Sequence, residues 1–301
     1  MSILNFVEKF PDEHSCREHF RLQREEAGLK CKKCGCQKHY WLKAKYQWQC
    51  SSCKFRTCLR SGTTFQSSKL PLRKWYLAMA LMTMTKKGIS AKEMQRQLDH
   101  SRYETVWKMM HTIRAAMGNR ENLYKLTGMV EFDEAYIKQS TPKDTELKRG
   151  KGSKGVKNVA VAGQSTPLED IKTGKKSKHY GYLKMKVLAG HEASQIDDMV
   201  KENIDEKSIV FSDLSKSYIN IKDYVDIHYQ EKSSVESAKT TLQWVHIAIS
   251  NAKRWILGIH HKIKGKYLQA YLDEFCYKTN RKYFGDRLFD RAIIAMAKIY
   301  W

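Results

Sequence analysis

Residues 129–137, MVEFDEAYI, set Val130, Phe132, Ala135 and Ile137 in an apolar run interrupted by Asp133, where an unpaired carboxylate is costly. Strict alternation puts Glu131 and Ala135 on the face of Asp133. Four more short runs of the same character follow: VKNVAVAGQ (156–164), YGYLKMKVLAG (180–190), SIVFSD (208–213) and DYVDIHY (223–229). Helical periodicity returns from about Leu242 to the end, so the order predicts an α/β domain whose last helices pack on a mixed sheet. Upstream, residues 72–84 and 102–117 carry apolar side chains at spacings of three and four, as helices do. Residues 1–27 form a short helical lead through Phe6, Val7, Phe10, Phe20 and Leu22. The boundaries drawn from this chemistry are 1–66 for lead and cysteine-rich segment, 67–126 for the helical segment and 127–301 for the sheet domain with its C-terminal helices.

A chain of 301 residues that is 42% hydrophobic can build real cores, which excludes disorder as its main state. Its formal charge of +23 points to a polyanionic partner, nucleic acid first. The opening MSILNFVEKFPDEH mixes charge with apolar residues too early for a secretion signal, and no run of about 18 apolar residues occurs. A cytoplasmic, nucleoid-associated protein is expected. In that compartment eight cysteines point to metal or plain thiols rather than to disulfides.

Cys31-x2-Cys34 and Cys50-x2-Cys53, fifteen residues apart, have zinc-ribbon spacing, and each pair can aim two thiolates at one point. Gly35 follows the first pair as a knuckle turn requires, and residues 39–50 between the pairs alternate like a strand. The competing reading is four reduced, buried thiols; Cys36 is an alternative to Cys34, Cys58 also blurs the assignment, and Cys16 and Cys276 read as ordinary thiols. Four thiolates leave no open position for water, so such a metal is structural.

Residues 86–117 read as helix end, turn, short helix, turn and longer helix, with Ser90 and Glu93 spaced as a capping box. The longer helix offers Arg102, Tyr103, Thr105 and Lys108 on one side and packs Val106, Met109, Met110 and Ile113 on the other. This is either a helix-turn-helix with a recognition helix for a major groove or a plain three-helix packing unit. The segment 138–157 holds Lys138, Lys143, Lys148, Arg149, Lys151, Lys154 and Lys157 against Asp144 and Glu146, among three glycines. It reads as a flexible phosphate-binding loop or as a solvated charged loop.

Asp213 stands at the carboxyl end of its strand, where open α/β sheets place functional groups; alone it can be a helix N-cap, and Asp133 alone a hydrogen-bonded buried acid. Together, on neighbouring strands, they can share divalent metal for phosphodiester displacement. A third ligand is expected on residues 242–258, LQWVHIAISNAKRWILG. There His246 lies 33 residues after Asp213, and Ser250 and Lys253 follow on its helical face. A satisfied structural histidine is the other reading of His246.

These features in this order, with TTFQSSKLPLRKWYLAM (63–79) bridging ribbon and helices and YLDEFCYKTNR (271–281) as a closing motif, resemble bacterial insertion-sequence transposases that join a zinc ribbon to a DDE-type, integrase-like domain. The resemblance runs from about Phe10 to Asn280. It implies an RNase-H-like mixed sheet flanked by helices, with Asp133 on the first strand and Asp213 after the fourth as Mg²⁺ or Mn²⁺ ligands. The family's Glu-x6-Lys frame falls here on His246 and Lys253, so the glutamate is absent. Asn251 is a competing third residue and Glu236 a further substitute. Neither imidazole nor amide brings a carboxylate's charge, so weaker metal binding or a preference for Mn²⁺ is expected. Lys253 would contact a phosphate near the cut. The implied function is a DNA transposase that binds terminal inverted repeats, hydrolyses a phosphodiester at the element's ends and joins the 3′-hydroxyl to target DNA, as a dimer or larger assembly. The alternatives are a zinc-ribbon DNA-binding regulator without chemistry, which the missing acid favours, and a nuclease that cuts without joining.

Overall fold

In the computed structural model, residues 2–142, 153–169, 174, 176–190, 192–232, 234, 236–261 and 263–297 are described. In chain order the helices and strands are α1 (Ile3–Lys9), α2 (Glu13–Glu26), β1 (His39–Leu42), β2 (Gln47–Cys50), β3 (Arg56–Cys58), α3 (Leu72–Met84), α4 (Ala91–Gln97) and α5 (Tyr103–Glu121). There follow β4 (Met129–Ser140), β5 (Val156–Glu169), β6 (Lys176–Val187), α6 (Ala193–Asn203), β7 (Ile209–Asp213) and β8 (Ile227–Glu231). The last are α7 (Ser237–Thr240), α8 (Gln243–His260), β9 (Ile263–Lys264), α9 (Leu268–Asn280) and α10 (Leu288–Ala297). The chain divides into two compact units, one built from residues up to 117 with those from 283 onward, the other from residues 118–282.

In the first unit β1, β2 and β3 form an antiparallel sheet. Residues 39–50 are therefore a hairpin rather than the one strand their alternation suggests. Tyr46, at φ 48°, turns the chain, and the turn brings Trp41 and Trp48 to a centroid distance of 4.8 Å. Buried Trp48 satisfies its indole N–H by donating to Glu25 Oε1 at 2.9 Å. Helix α4 starts where the capping pattern places it, Ser90 Oγ accepting from the Glu93 N–H at 3.1 Å. Helix α10, which the reading along the chain groups with the sheet, packs in this unit. Its Phe289 meets Phe6, Phe10 and Tyr76 edge-on or tilted at 5.7–6.2 Å.

The second unit holds a mixed sheet in the order β6-β5-β4-β7-β8. β5 runs antiparallel to both β4 and β6, while β7 runs parallel to β4 and β8 parallel to β7. This is the RNase-H-like arrangement that the resemblance implies, with β7 the fourth strand. Alternation splits the apolar residues between two faces. Val130, Phe132, Ala160, Ala162 and Val210 pack with Ile196, Met199 and Val200 of α6. Ala135, Ile137, Val159, Val161, Leu183 and Met185 pack with Val245, Ala248, Ile249, Ala252 and Ile256 of α8 and Leu268 and Leu272 of α9. The far end of α9 is tied to β6 by Asn280, whose side chain accepts from the Leu183 N–H at 2.7 Å and donates to the Leu183 carbonyl at 2.9 Å.

The start of α8 is set by a strand residue. Leu242 at its N-cap offers no side-chain acceptor, and fully buried Glu131 of β4 supplies one: Oε2 accepts from the N–H groups of Trp244 at 2.7 Å and Val245 at 3.1 Å. A carboxylate there satisfies two orphan donors and meets the positive end of the helix dipole. Glu131→Ala removes both acceptors and is expected to cost about 2–4 kcal/mol, with Glu131→Gln, which keeps one acceptor oxygen, costing less. Urea unfolding of the three proteins at neutral pH measures this.

Candidate active site

β4 and β7 pair in parallel with Glu131 opposite Phe211, and continuing that register two residues puts Asp133 beside Asp213 on the face covered by α8. One turn into α8, His246 Nε2 lies 3.7 Å from Asp133 Oδ2. Asp133 Oδ1 accepts from the Glu134 N–H at 2.7 Å, and Asp213 Oδ1 from the Ser215 N–H at 3.2 Å. The structure thus brings Asp133, Asp213 and His246 together from three elements.

Burial pushes the Asp133 carboxyl up to about 6, and the nearby carboxylates of Asp213 and Glu134 add to the rise. The Glu134 N–H and His246 act against it. Glu134, on the opposite face, accepts from the Asn158 amide and from the Tyr218 hydroxyl, the latter at 3.4 Å. Burial first, and then these acids, push the Tyr136 phenol up to about 12 and Tyr218 further in the same direction. Two carboxylates and an imidazole around a point of excess negative charge suit a divalent cation that accepts oxygen and nitrogen donors.

The other third-residue candidates lie elsewhere. Asn251 is exposed, about 140° around the helix from His246, and its Oδ1 accepts from Arg254 Nη2 at 2.7 Å. Glu236 is exposed at the turn entering α7, and Lys253 is exposed on α8. Glu131 is the residue that sequence reasoning passed over, noted only for sharing a face with Asp133. Its signal was a second acid on the core-facing side of an apolar strand.

In the first unit the sulfurs of Cys31, Cys34, Cys50 and Cys53 all lie within 4.8 Å of one another, with Cys31 to Cys53 and Cys34 to Cys50 both at 3.5 Å. A tetrahedron with metal–sulfur bonds of about 2.3 Å has edges of about 3.8 Å, so the cluster can hold a metal such as zinc. Two matching knuckles build it. The N–H of Gly35 donates to Cys31 O at 2.8 Å and that of Lys54 to Cys50 O at 3.2 Å, and both donors have left-handed backbone, φ 72° and 62°. Glycine takes that conformation without strain at the first; the second uses a lysine. Cys36 stands outside the cluster, its sulfur 3.5 Å from Ser51 Oγ.

Arg102, Tyr103 and Lys108 are exposed at the start of α5 and Thr105 is half-buried, while Val106, Met109, Met110 and Ile113 are buried. In the basic segment Lys138 and Lys157 belong to the β4–β5 ladder and Lys154 is exposed in a turn. Lys143, Lys148, Arg149 and Lys151 lie outside the described residues. No helix among the described residues is long and apolar enough to cross a membrane.

A mixed sheet of this order with two acids on adjacent parallel strands defines the class of protein, and comparison with known sequences gives the family. The chain belongs to the ISXO2-like transposase domain family, which matches residues 125–280. It is also 31% identical over 122 residues to an uncharacterized protein in transposable element ISH50 of Halobacterium salinarum, a match spanning 40% of this chain and 38% of that protein. Among solved structures, a pre-cleavage Mos1 transpososome aligns over 75% of this chain and 79% of its own at 12% identity and a TM-score of 0.25. The Mos1 strand transfer complex aligns over 75% and 78% at 12% identity and 0.21. Likenesses of that size carry no structural argument.

Two outcomes are expected. Asp133 has its folded pKa above the ordinary carboxylate value, so its contribution to stability is full below about pH 4 and is lost as pH rises through about 6. Without divalent cations, Asp133→Asn should match the parent near pH 4 and exceed it near pH 8 by up to about 3 kcal/mol in urea unfolding. At the cysteine cluster, Cys34→Ser should abolish bound metal in elemental analysis, whereas Cys36→Ser should keep one equivalent.

Proposed function

We propose that this chain is the transposase of an insertion element, acting on DNA at Asp133, Asp213 and His246. The observation that carries the reading is that β4, β7 and α8 converge those three side chains in a chain of this family. Asp133 and Asp213 supply the negative charge that holds Mg²⁺ or Mn²⁺, and His246 gives a nitrogen donor in place of the family's glutamate. A divalent cation bound there supplies Lewis-acid assistance to in-line displacement at phosphorus. In the first displacement water breaks the phosphodiester at the element's end, leaving a 3′-hydroxyl and a 5′-phosphate. In the second, that hydroxyl attacks a target phosphodiester, forms the new bond and releases a target 3′-hydroxyl, with no covalent enzyme intermediate. Lys253, exposed on α8, steadies a phosphate near the reacting one.

End recognition falls to the cysteine-cluster segment, loaded with zinc, and to α4 and α5. Arg102, Tyr103, Thr105 and Lys108 face the terminal inverted repeats, and the segment of Lys148, Arg149, Lys151 and Lys154 holds target phosphates. Two ends must be cut together, so the working form is a dimer or larger, at the nucleoid.

The test is strand cleavage of a DNA fragment carrying this gene with its natural flanks, in Mg²⁺ or Mn²⁺, beside Asp133→Asn. Nicks at matched inverted repeats that require the cation and vanish in the variant are expected, with Mn²⁺ the better ion. Specific binding without cleavage in either metal would leave a binding protein in place of an enzyme.

A further inference from the structure

A groove of about 410 Å³ runs along α8 from its N-terminal end, lined by Lys239, Gln243, His246, Ile247, Ser250 and Arg254. The α8 positions fall at i, i+3, i+4, i+7 and i+11, one flank of the helix beside the buried stripe of Val245, Ile249, Ala252 and Ile256. His246 belongs to this groove and to the acid cluster, so whatever occupies the groove continues into the reacting centre. The lining is cationic and hydrogen-bonding and holds no acid. Among the described residues no carboxylate pairs with Lys239, Lys253 or Arg254. Gln243 and Ser250 offer donors, and Ile247, 40% exposed, gives an apolar wall. The Arg254 guanidinium is oriented from within its own helix, Nη2 donating to Asn251 Oδ1 at 2.7 Å and Nε to the Ser250 carbonyl at 3.4 Å. These bonds leave its positive charge unneutralised while fixing its direction, which is how an arginine is prepared for an anion.

We propose that this groove seats the sugar–phosphate backbone of the DNA strand next to the reacting phosphate, that Arg254 holds one phosphate there, and that Asn251 is the positioning residue for Arg254. The inference rests on the transposase reading for the identity of the strand. It gives Asn251 a task other than metal binding: its amide oxygen is spent on the guanidinium. Gln243 and Ser250 donate to the same phosphate or its neighbour, and Ile247 lies against sugar or base. Backbone contacts of this kind set register on the nucleic acid without reading sequence.

The test uses the full, zinc-loaded chain carrying Asp133→Asn, so that no cleavage intervenes, and measures binding to the duplex of the gene's flank against NaCl concentration without Mg²⁺ or Mn²⁺. Arg254→Ala is expected to weaken binding roughly tenfold and to lower the slope of log K against log salt by about 0.9, the value for one released phosphate contact. Arg254→Lys should recover most of the slope. Asn251→Ala, which alters no charge, should weaken binding severalfold in the parent and add nothing in Arg254→Ala. A slope and affinity untouched by Arg254→Ala overturn the proposal. So does an Asn251→Ala loss that persists undiminished in Arg254→Ala, or its absence in the parent, because a merely exposed cation needs no orienting amide. Absence of DNA binding in the parent overturns this proposal and the transposase reading together. Binding that follows the expected pattern while the unmutated chain fails to cut leaves the groove standing and removes only the catalytic reading.

Discussion

The bond from Glu131 to the first turn of α8 is the constraint on which the second unit's chemistry depends. Burying a carboxylate is expensive, and here the cost is offset by two charge-assisted bonds from backbone N–H groups and by the positive end of an eighteen-residue helix. The same strand carries Asp133 two residues later, so one stretch of backbone fixes both where α8 begins and where the acid points. His246, the fourth residue of the helix, is thereby carried to within 3.7 Å of Asp133. A cap supplied by α8's own N-cap residue would have satisfied the helix without locking it to the sheet.

Parallel pairing does the remaining work. Because β4 and β7 run in the same direction and in register, equal distances along the two strands end at the same height, and Asp213 comes level with Asp133. An antiparallel neighbour would have carried its terminal acid to the opposite edge. The result is a concentration of negative charge that the protein only partly offsets. The Asp133 carboxyl is pushed up to about 6, chiefly by burial, and both Tyr136 and Tyr218 are pushed upward across the sheet. The His246 imidazole beside Asp133 adds no further negative charge to that cluster.

The cysteine cluster follows a different logic. Its four sulfurs converge through two short turns of equal hydrogen bonding, with glycine in one left-handed position and lysine in the other. Such a module has little core of its own, and the geometry is local to each turn, which is why spacing alone reads it so well.

What the amino-acid sequence determined by itself was everything governed by short-range periodicity and spacing. The strand runs, the two cysteine pairs, the capped short helix at Ser90 and the span of α3 were legible because each depends on neighbours within a few residues. Asp133, Asp213 and His246 stood out as candidates for the same reason, each an exception to a local pattern. The tertiary structure alone decided which of them meet. That His246 and not Asn251, five residues on, lies beside Asp133 depends on the rotation of α8 about its axis, which its buried stripe and the bonds from Glu131, more than one hundred residues upstream, hold together. Likewise the packing of α10 against Phe6, Phe10 and Tyr76 rests on contacts between distant segments. Periodicity along a chain records which face is buried; it does not record against what.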